Sequence, residues 1–136
     1  MQHFVFQIIT PEALVFEGNC WEVELPGVEG RFGVLTKHMN MVSALKPGIV
    51  IVHSAEGGKM LKFAISDGFA DVTPERCTVL VEMAIGQDKV NIEVAKHRLE
   101  ELSRLVKQDE SGYVKGEHTN EIHYLEQVLS LHHHKH

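Results

Sequence analysis

Two cysteines and ten histidines are the side chains of this sequence that could act as nucleophiles or metal ligands. Cys20 and Cys77 both lie in alternating apolar segments without C-x-x-C spacing. That context is typical of small buried hydrophobic side chains rather than of reactive thiolates. We predict that neither cysteine is catalytic. A disulfide between them and a reduced pair in a reducing compartment both remain compatible with the sequence.

The histidines show no metal-ligand spacing. His118 and His123 are five residues apart, across a predicted helix start, and His97 is far from both. A C-terminal tract, either native or a remnant of cloning, would bind divalent metals only loosely because nothing imposes a geometry on it. The sequence therefore predicts no metal site. The tract comprises His132, His133, His134 and His136.

Three glycines at three-residue spacing, Gly27, Gly30 and Gly33, do not match the phosphate-binding pattern G-x-G-x-x-G. No predicted helix follows them to supply the N-terminal amides that hold a phosphate. They are either turn residues or part of a docking loop. With no nucleophile–base pair, cofactor motif or metal site, the sequence indicates a non-catalytic binding protein without cofactors.

The length and net charge of the chain limit its number of domains and the classes of partner that it can bind. A chain of 136 residues makes one domain, or one domain with an appendage. Its formal net charge of −6 disfavours nucleic acid, which selects basic faces. No apolar run reaches the ~20 residues of a membrane helix, and the first segment lacks the basic region of a signal peptide. We therefore expect the chain to stay in the compartment where it is made, unless partners hold it at a membrane.

The first predicted domain, residues 1–86, shows the period-two pattern of β-strands. Trp21, Val23 and Leu25 are predicted to share one face of a strand. Ile49–Val52 is a run of β-branched residues, as in a strand covered on both faces. Turn residues recur about every ten positions. The pattern predicts a β-sandwich of about ten short strands.

The second predicted domain, residues 87–136, changes to helical periodicity. A first helix is predicted after the N-cap Asn91, with a stripe of apolar residues. Residues 108–118 interrupt the pattern, and a second helix is predicted from about Asn120, burying Ile122, Leu125, Val128 and Leu129. The fold class is therefore α+β, a sandwich followed by an antiparallel two-helix hairpin. Because short helices are marginal alone, this arm is the natural moving part. The stripe comprises Ile92, Ala95, Leu99, Leu102, Leu105 and Val106.

The segment LPGVEGRFGVLTKHMNMVSALKPG, residues 25–48, resembles the signature of the epsilon subunit of rotary F-type ATP synthases, called delta in mitochondria. Residues 9–18 resemble that family's opening hairpin. Residues 66–72 and 77–81 resemble two later strands of the family. The likeness keeps its order and spacing over most of residues 3–107, which makes it far more specific than a single short motif.

The resemblance implies a non-catalytic rotor subunit of the central stalk. Its sandwich would bind the gamma subunit and rest on the c-ring, helping to couple proton-driven rotation to ATP synthesis. Its helical arm would reach the catalytic alpha/beta head and, in many bacterial members, block ATP hydrolysis. The chain would be a peripheral protein of the cytoplasmic face of the bacterial inner membrane, touching the membrane only through the complex.

The same resemblance assigns partner-binding residues. Glu29, Gly30 and Arg31 match a loop expected near the c-ring, and the family commonly has an acidic residue where this chain has Arg31. His38 matches a histidine expected to face gamma, although a plain surface histidine is an equal alternative. The segment around His38 is predicted to dock on gamma through Val34, Leu35, Met41 and Val42.

A nucleotide-sensing module is the alternative function. Some family members bind ATP at a motif I/L-D-x-x-R-A that opens the first helix. The matching residues here are VNIEVA, residues 90–95, so the aspartate is replaced by Asn91 and the arginine by Val94, while Ala95 is kept. Each lost charge-assisted hydrogen bond is worth about 1.5–3 kcal/mol. We therefore predict weak or absent ATP binding.

Overall fold

The computed structural model describes residues 2–36 and 40–133. Their strands form a β-sandwich, and two helices follow, as predicted. Nine strands are present among the described residues, where about ten were expected. The elements are β1 (Phe4–Ile9), β2 (Leu14–Gly27), β3 (Gly30–Leu35), β4 (Met41–Leu45), β5 (Gly48–Ser54), β6 (Met60–Ile65), β7 (Gly68–Val72), β8 (Arg76–Val81), β9 (Ala84–Gly86), α1 (Ile92–Gln108) and α2 (Tyr113–His132).

The 14-residue strand β2 is shared by the two layers of the sandwich. Its first half pairs with β1, and its second half pairs with β3 and β5. The first sheet thus runs β4-β7-β8-β1-β2, with β1 and β8 parallel, and the second runs β3-β2-β5-β6-β9. Because β2 belongs to both sheets, it joins them directly, without a separate connecting segment.

A register shift in β2 corrects one sequence prediction. Pairing with β5 skips Trp21, so Cys20 and Val23 both point into the core. An extra residue in one strand reverses the inside–outside alternation. Trp21 therefore does not share the face of Val23 and Leu25, and its ring instead packs edge-on against His3 at 5.8 Å between centroids.

The main core fills the space between the two sheets, and its buried side chains come from eight strands, β1 to β8, mostly at alternate positions. Three aromatic rings of this core pack in series, with centroids 6.2 Å apart for Phe6 and Phe16 and 5.1 Å apart for Phe16 and Phe63. The largest fully buried side chains of this core include Phe6, Ile8, Leu25, Leu45 and Ile65.

Helix α1 begins as predicted. The Asn91 side-chain oxygen accepts a hydrogen bond from the Val94 amide at 3.2 Å, which satisfies one of the free amides of the first turn. Ala95 and Leu102 are buried on the predicted stripe, but Leu105 is exposed. Three residues advance a helix by about 300°, so Leu105 lies about 60° around the helix from Leu102.

Helix α2 begins seven residues before the predicted Asn120. The Asp109 carboxylate accepts hydrogen bonds from the Ser111 amide at 3.1 Å and the Val114 amide at 2.7 Å, so it caps the new helix. Gly112 takes a left-handed conformation, with φ of 80°, and reverses the chain. The sequence prediction treated Gly116 as a breaker, but it is an exposed helical residue.

A second apolar cluster joins the hairpin to the outer face of the second sheet. Leu125, Val128 and Leu131 of α2 pack over Ala64 of β6 and Ile49 of β5. In addition, the Gln87 side chain donates to the Leu131 carbonyl at 2.9 Å. The arm is therefore folded against the sandwich. The predicted cover on both faces of Ile49–Val52 is found in part, since Val50 and Val52 face the core and Ile49 packs against the second cluster, whereas Ile51 is only half-buried.

An ion pair ties the two helices together. The Arg98 guanidinium donates from Nε and Nη2 to the two carboxylate oxygens of Glu121, at 2.7 and 2.9 Å, and also contacts Glu101. This bidentate pairing holds the pKa of Glu121 below its usual range. The hairpin is thus closed by both an apolar seam and a polar contact.

Candidate partner-binding surfaces

The two candidate nucleophiles, Cys20 and Cys77, are unsuited to nucleophilic catalysis. Cys20 and Cys77 are free and fully buried, and burial raises the pKa of each thiol to about 12. A thiol with that pKa stays protonated near neutral pH and is a poor nucleophile. Within residues 2–36 and 40–133, no three His, Cys, Asp or Glu side chains approach closely enough to hold a metal ion. His134 and His136 lie outside the described residues.

The predicted c-ring loop is the tip of the β2–β3 hairpin. Glu29, Gly30 and Arg31 are all exposed there, and Gly30 has φ of 131°, a conformation that favours glycine. The Arg31 Nη1 donates to the Ile49 carbonyl at 2.8 Å. The guanidinium is thereby held over the start of β5, a central strand of the second sheet, beside the arm.

The segment predicted to dock on gamma does not form one surface. Val34 is buried in the core and Met41 packs against that core, so their side chains face inward. The expectation that Val34 contacts a partner directly is therefore wrong, because strand alternation turns it inside. Leu35 is exposed on the outer face of the second sheet, whereas Val42 is exposed on the outer face of the first. His38 lies outside the described residues.

The structure shows an apolar surface that the sequence reasoning missed. Strand register aligns Ala44 with Phe69, Phe69 with Leu80, Leu80 with Ile9, and Ile9 with Leu14. These five residues, which we call the docking stripe, cross the outer face of the first sheet. Phe69, Leu80 and Leu14 are 55 %, 46 % and 54 % exposed. Contiguous exposed apolar side chains of this kind mark interaction surfaces.

Polar and apolar neighbours border the stripe. Val28 is exposed beside it, and its amide donates to the Ala44 carbonyl at 3.0 Å. The next row of the sheet aligns Val42 with Asp71, Thr78, Gln7 and Glu17. An apolar centre with a polar rim is the usual anatomy of a protein–protein interface.

A signal for the stripe was present in the sequence. In β7 the alternation places Ala70 and Val72 inside, so Phe69 must face outward. In β8 it likewise places Val79 and Val81 inside and Leu80 outside. A large apolar residue at an outward position is unusual in a strand with one solvated face. Only the strand order shows that two such positions are neighbours.

The residues that match the ATP motif have structural roles at the start of α1. The Asn91 side chain is occupied as the N-cap, Ala95 is buried in the second apolar cluster, and Val94 is 63 % exposed. Asn91 and Val94 offer neither a carboxylate nor a guanidinium to a nucleotide. We see no arrangement here that favours ATP.

We expect calorimetry to show no micromolar ATP affinity for this chain. The double variant Asn91→Asp, Val94→Arg should gain ten- to a hundred-fold in affinity for each productive contact restored, because charged hydrogen bonds are worth about 1.5–3 kcal/mol. Val94→Leu, which adds bulk but no charge, is the control. Micromolar binding by the unmodified chain would contradict this expectation.

Comparison with known families and curated proteins gives consistent matches. The family model described as the beta-sandwich domain of the delta/epsilon chain of ATP synthase matches residues 3–87. The chain is 34% identical over 131 residues to the ATP synthase epsilon chain of Brucella canis, covering 96% of this chain and 93% of that one. It is 36% identical over 114 residues to the epsilon chain of Sulfurovum, covering 84% and 88%.

Solved structures agree. A chain in the cryo-EM structure of the Euglena gracilis mitochondrial ATP synthase, described as OSCP/F1/c-ring, matches with a TM-score of 0.72 and 26% identity, covering 94% of this chain and 80% of that chain. A Tetrahymena thermophila central stalk/c-ring structure, at 17% identity and a TM-score of 0.50, shares the fold over 66% of this chain and 71% of that one. No helix in the described part of the chain has the length and apolar character needed to cross a membrane.

Proposed function

Since this chain belongs to the delta/epsilon family of ATP synthase subunits, we propose that it is a central-stalk subunit that binds the gamma subunit through the docking stripe. It is a non-catalytic subunit, consistent with its buried, protonated thiols. The observation that carries the proposal is the row of apolar side chains across five strands, most of them exposed, which gives a continuous apolar face for a protein partner.

The energetics favour the centre of the stripe as the main contact. Phe69 and Leu80 are direct neighbours on adjacent strands, each about half exposed. Covering apolar surface stabilises a complex by about 25 cal/mol per Å², and aromatic side chains at an interface centre often contribute most. Their strands are also anchored by inward-facing core residues, so little conformational entropy is lost on binding.

Replacing Phe69 by glutamate should weaken gamma binding by roughly thirty-fold or more, because truncating a central anchor costs about 2 kcal/mol or more and the new charge loses its hydration. Surface plasmon resonance with immobilised gamma measures the change. Met60→Glu is the matched control, since Met60 is an apolar residue of similar exposure, 57 %, on the outer face of the second sheet.

The two outcomes that oppose this prediction are distinct. If Met60→Glu weakens binding and Phe69→Glu does not, gamma docks on the second sheet. If neither variant changes binding, the stripe has another partner. Circular dichroism and thermal unfolding of both variants show whether any loss of binding comes from unfolding instead.

The wider role follows from the same membership. We propose that the sandwich, held by gamma, rests with the β2–β3 tip against the c-ring and helps couple its rotation to ATP synthesis. The protein would then lie at the cytoplasmic face of the bacterial inner membrane through its partners alone. The exposed residues Glu29, Gly30 and Arg31 support this placement, since they lie at the tip of the β2–β3 hairpin, although the Arg31 guanidinium itself turns back to the Ile49 carbonyl.

We further propose that the helical arm can leave the sandwich and inhibit ATP hydrolysis in the catalytic head. In the described part of the chain, the contacts that hold it include one apolar cluster and the Gln87–Leu131 hydrogen bond. Helices of this length need a covering surface, and a partner can supply one. Moving the arm from the sandwich to a partner surface therefore requires only a modest difference in free energy between the two docked states.

A further inference from the structure

A crevice separates the β2–β3 tip from the arm. It encloses about 500 Å³ and is open to solvent. One wall belongs to the sandwich and includes Arg31, Lys46 and Pro26, whereas the other belongs to α2 and includes His123 and Glu126. We call it the arm crevice. The crevice exists only while the arm is folded, because two structural units form its walls.

The sandwich wall is rigid. A side-chain carbon added at Gly48 would lie 2.6 Å from the Pro26 ring, so the ring packs directly against the Gly48 backbone. The Ile49 carbonyl holds one nitrogen of the Arg31 guanidinium at 2.8 Å. A guanidinium has five N–H donors in a planar fork, and anchoring one of them orients the rest.

The charge of the crevice is opposite to that of the protein. Arg31 and Lys46 supply two cations against the single carboxylate of Glu126, in a chain with a formal net charge of −6. The arginine fork suits bidentate pairing with a carboxylate. Pro26, Pro47 and Ile49 add apolar surface that suits a peptide backbone more than a bare anion. An acidic peptide segment fits this combination.

We propose that the arm crevice binds an acidic peptide segment of a partner subunit, with Arg31 and Lys46 pairing with its carboxylates, and that occupancy holds the arm folded. Since α2 forms one wall, a bound segment contacts both units at once and is lost when they separate. The inference rests on the proposed function for the presence of an assembled partner, and it adds the chemistry of that partner and a means of regulating the arm.

The test uses the full chain without gamma and a synthetic hexaglutamate peptide as the probe. Two-dimensional NMR titration at low salt should show saturable shifts at the crevice residues. Arg31→Glu should weaken binding at least ten-fold, as expected when a charged pair becomes a repulsive one. Lys59→Glu is the matched control, since Lys59 is an exposed lysine in the turn between β5 and β6, away from the crevice.

A second readout tests the link to the arm. Saturating hexaglutamate should slow amide hydrogen exchange across α2 in the unmodified chain but not in Arg31→Glu. Equal loss of affinity in Lys59→Glu, or shifts without slowed exchange, would overturn the proposal. Inorganic phosphate that competes as well as the peptide would also overturn it, since the crevice would then be a simple anion site.

These results are independent of gamma docking. The peptide titration contains no gamma, so a failed titration leaves the docking stripe untouched. Conversely, if the chain fails to bind gamma, the proposed central-stalk role is lost, but the measured affinity for the peptide does not change.

Discussion

Replacing Val128 by aspartate releases the helical arm from the sandwich while the strands stay folded. Val128 is buried in the second apolar cluster, among α2 residues that cover Ala64 and Ile49. An ionised carboxylate placed there without a partner costs several kcal/mol. The arm escapes that cost by undocking, because the sandwich keeps its own separate core.

Hydrogen exchange measured by mass spectrometry reports the release. Amides of α2 should exchange orders of magnitude faster in Val128→Asp, since a loss of several kcal/mol corresponds to roughly a thousand-fold. Amides of β1 and β8 should keep their protection. Val94→Asp is the matched control, with the same substitution at an exposed site on α1. Loss of protection throughout the chain would show that the arm is part of the sandwich's folding unit.

The Val128→Asp variant also tests whether the arm inhibits ATP hydrolysis. If the free arm blocks the catalytic head, ATP synthase assembled with Val128→Asp should hydrolyse ATP more slowly than the unmodified complex. ATP synthase assembled with a chain that ends at Lys89 should hydrolyse ATP faster than the unmodified complex, because that chain has no arm. That end point keeps β9, which pairs with β6 through Phe63 and Gly86 and would be lost in a shorter chain. Equal rates of ATP hydrolysis in all three complexes would show that the arm does not inhibit the catalytic head.

Replacing Gly68 by alanine destabilises the sandwich by about 3 kcal/mol, near the upper end for overpacking a well-packed core. The added methyl carbon would lie 2.1 Å from the Leu80 carbonyl oxygen and 2.7 Å from a methyl of Val81. The first contact is with backbone, which cannot rotate away. Relief requires β7 and β8 to separate, and domains of this size have only about 5–15 kcal/mol of stability in total.

The matched control is the same substitution at Gly116. That glycine lies in the exposed part of α2, and apart from its chain neighbours and the backbone of its own helix, no atom lies within 4 Å of the position its added carbon would take. Gly116→Ala should therefore stabilise the chain by about 0.5–1 kcal/mol through helix propensity. Chemical denaturation of both variants, followed by circular dichroism, measures the opposite signs. Similar stabilities would show that β7 can shift without cost.

The starts of the two helices show where the sequence predicted the structure correctly and where it did not. The N-cap Asn91 was predictable, because its signal is local and its partner is the amide three residues ahead. The start of α2 was not, since it depends on Asp109 reaching the Val114 amide across the connection. Two glycines in that stretch were given the same breaking role, although Gly112 reverses the chain and Gly116 lies within the helix.

The sequence alone determined the class of fold, the order of strands and helices, the absence of a recognisable catalytic motif, and the resemblance to ATP synthase epsilon subunits, because each depends on residues close together in the chain. Tertiary structure decided which outward residues meet. Phe69 and Ile9 are 60 positions apart, yet both flank Leu80 in the docking stripe. Arg31 and His123 face one crevice for the same reason. Surfaces assembled by strand pairing and helix packing have no local pattern, since their members are brought together only by folding.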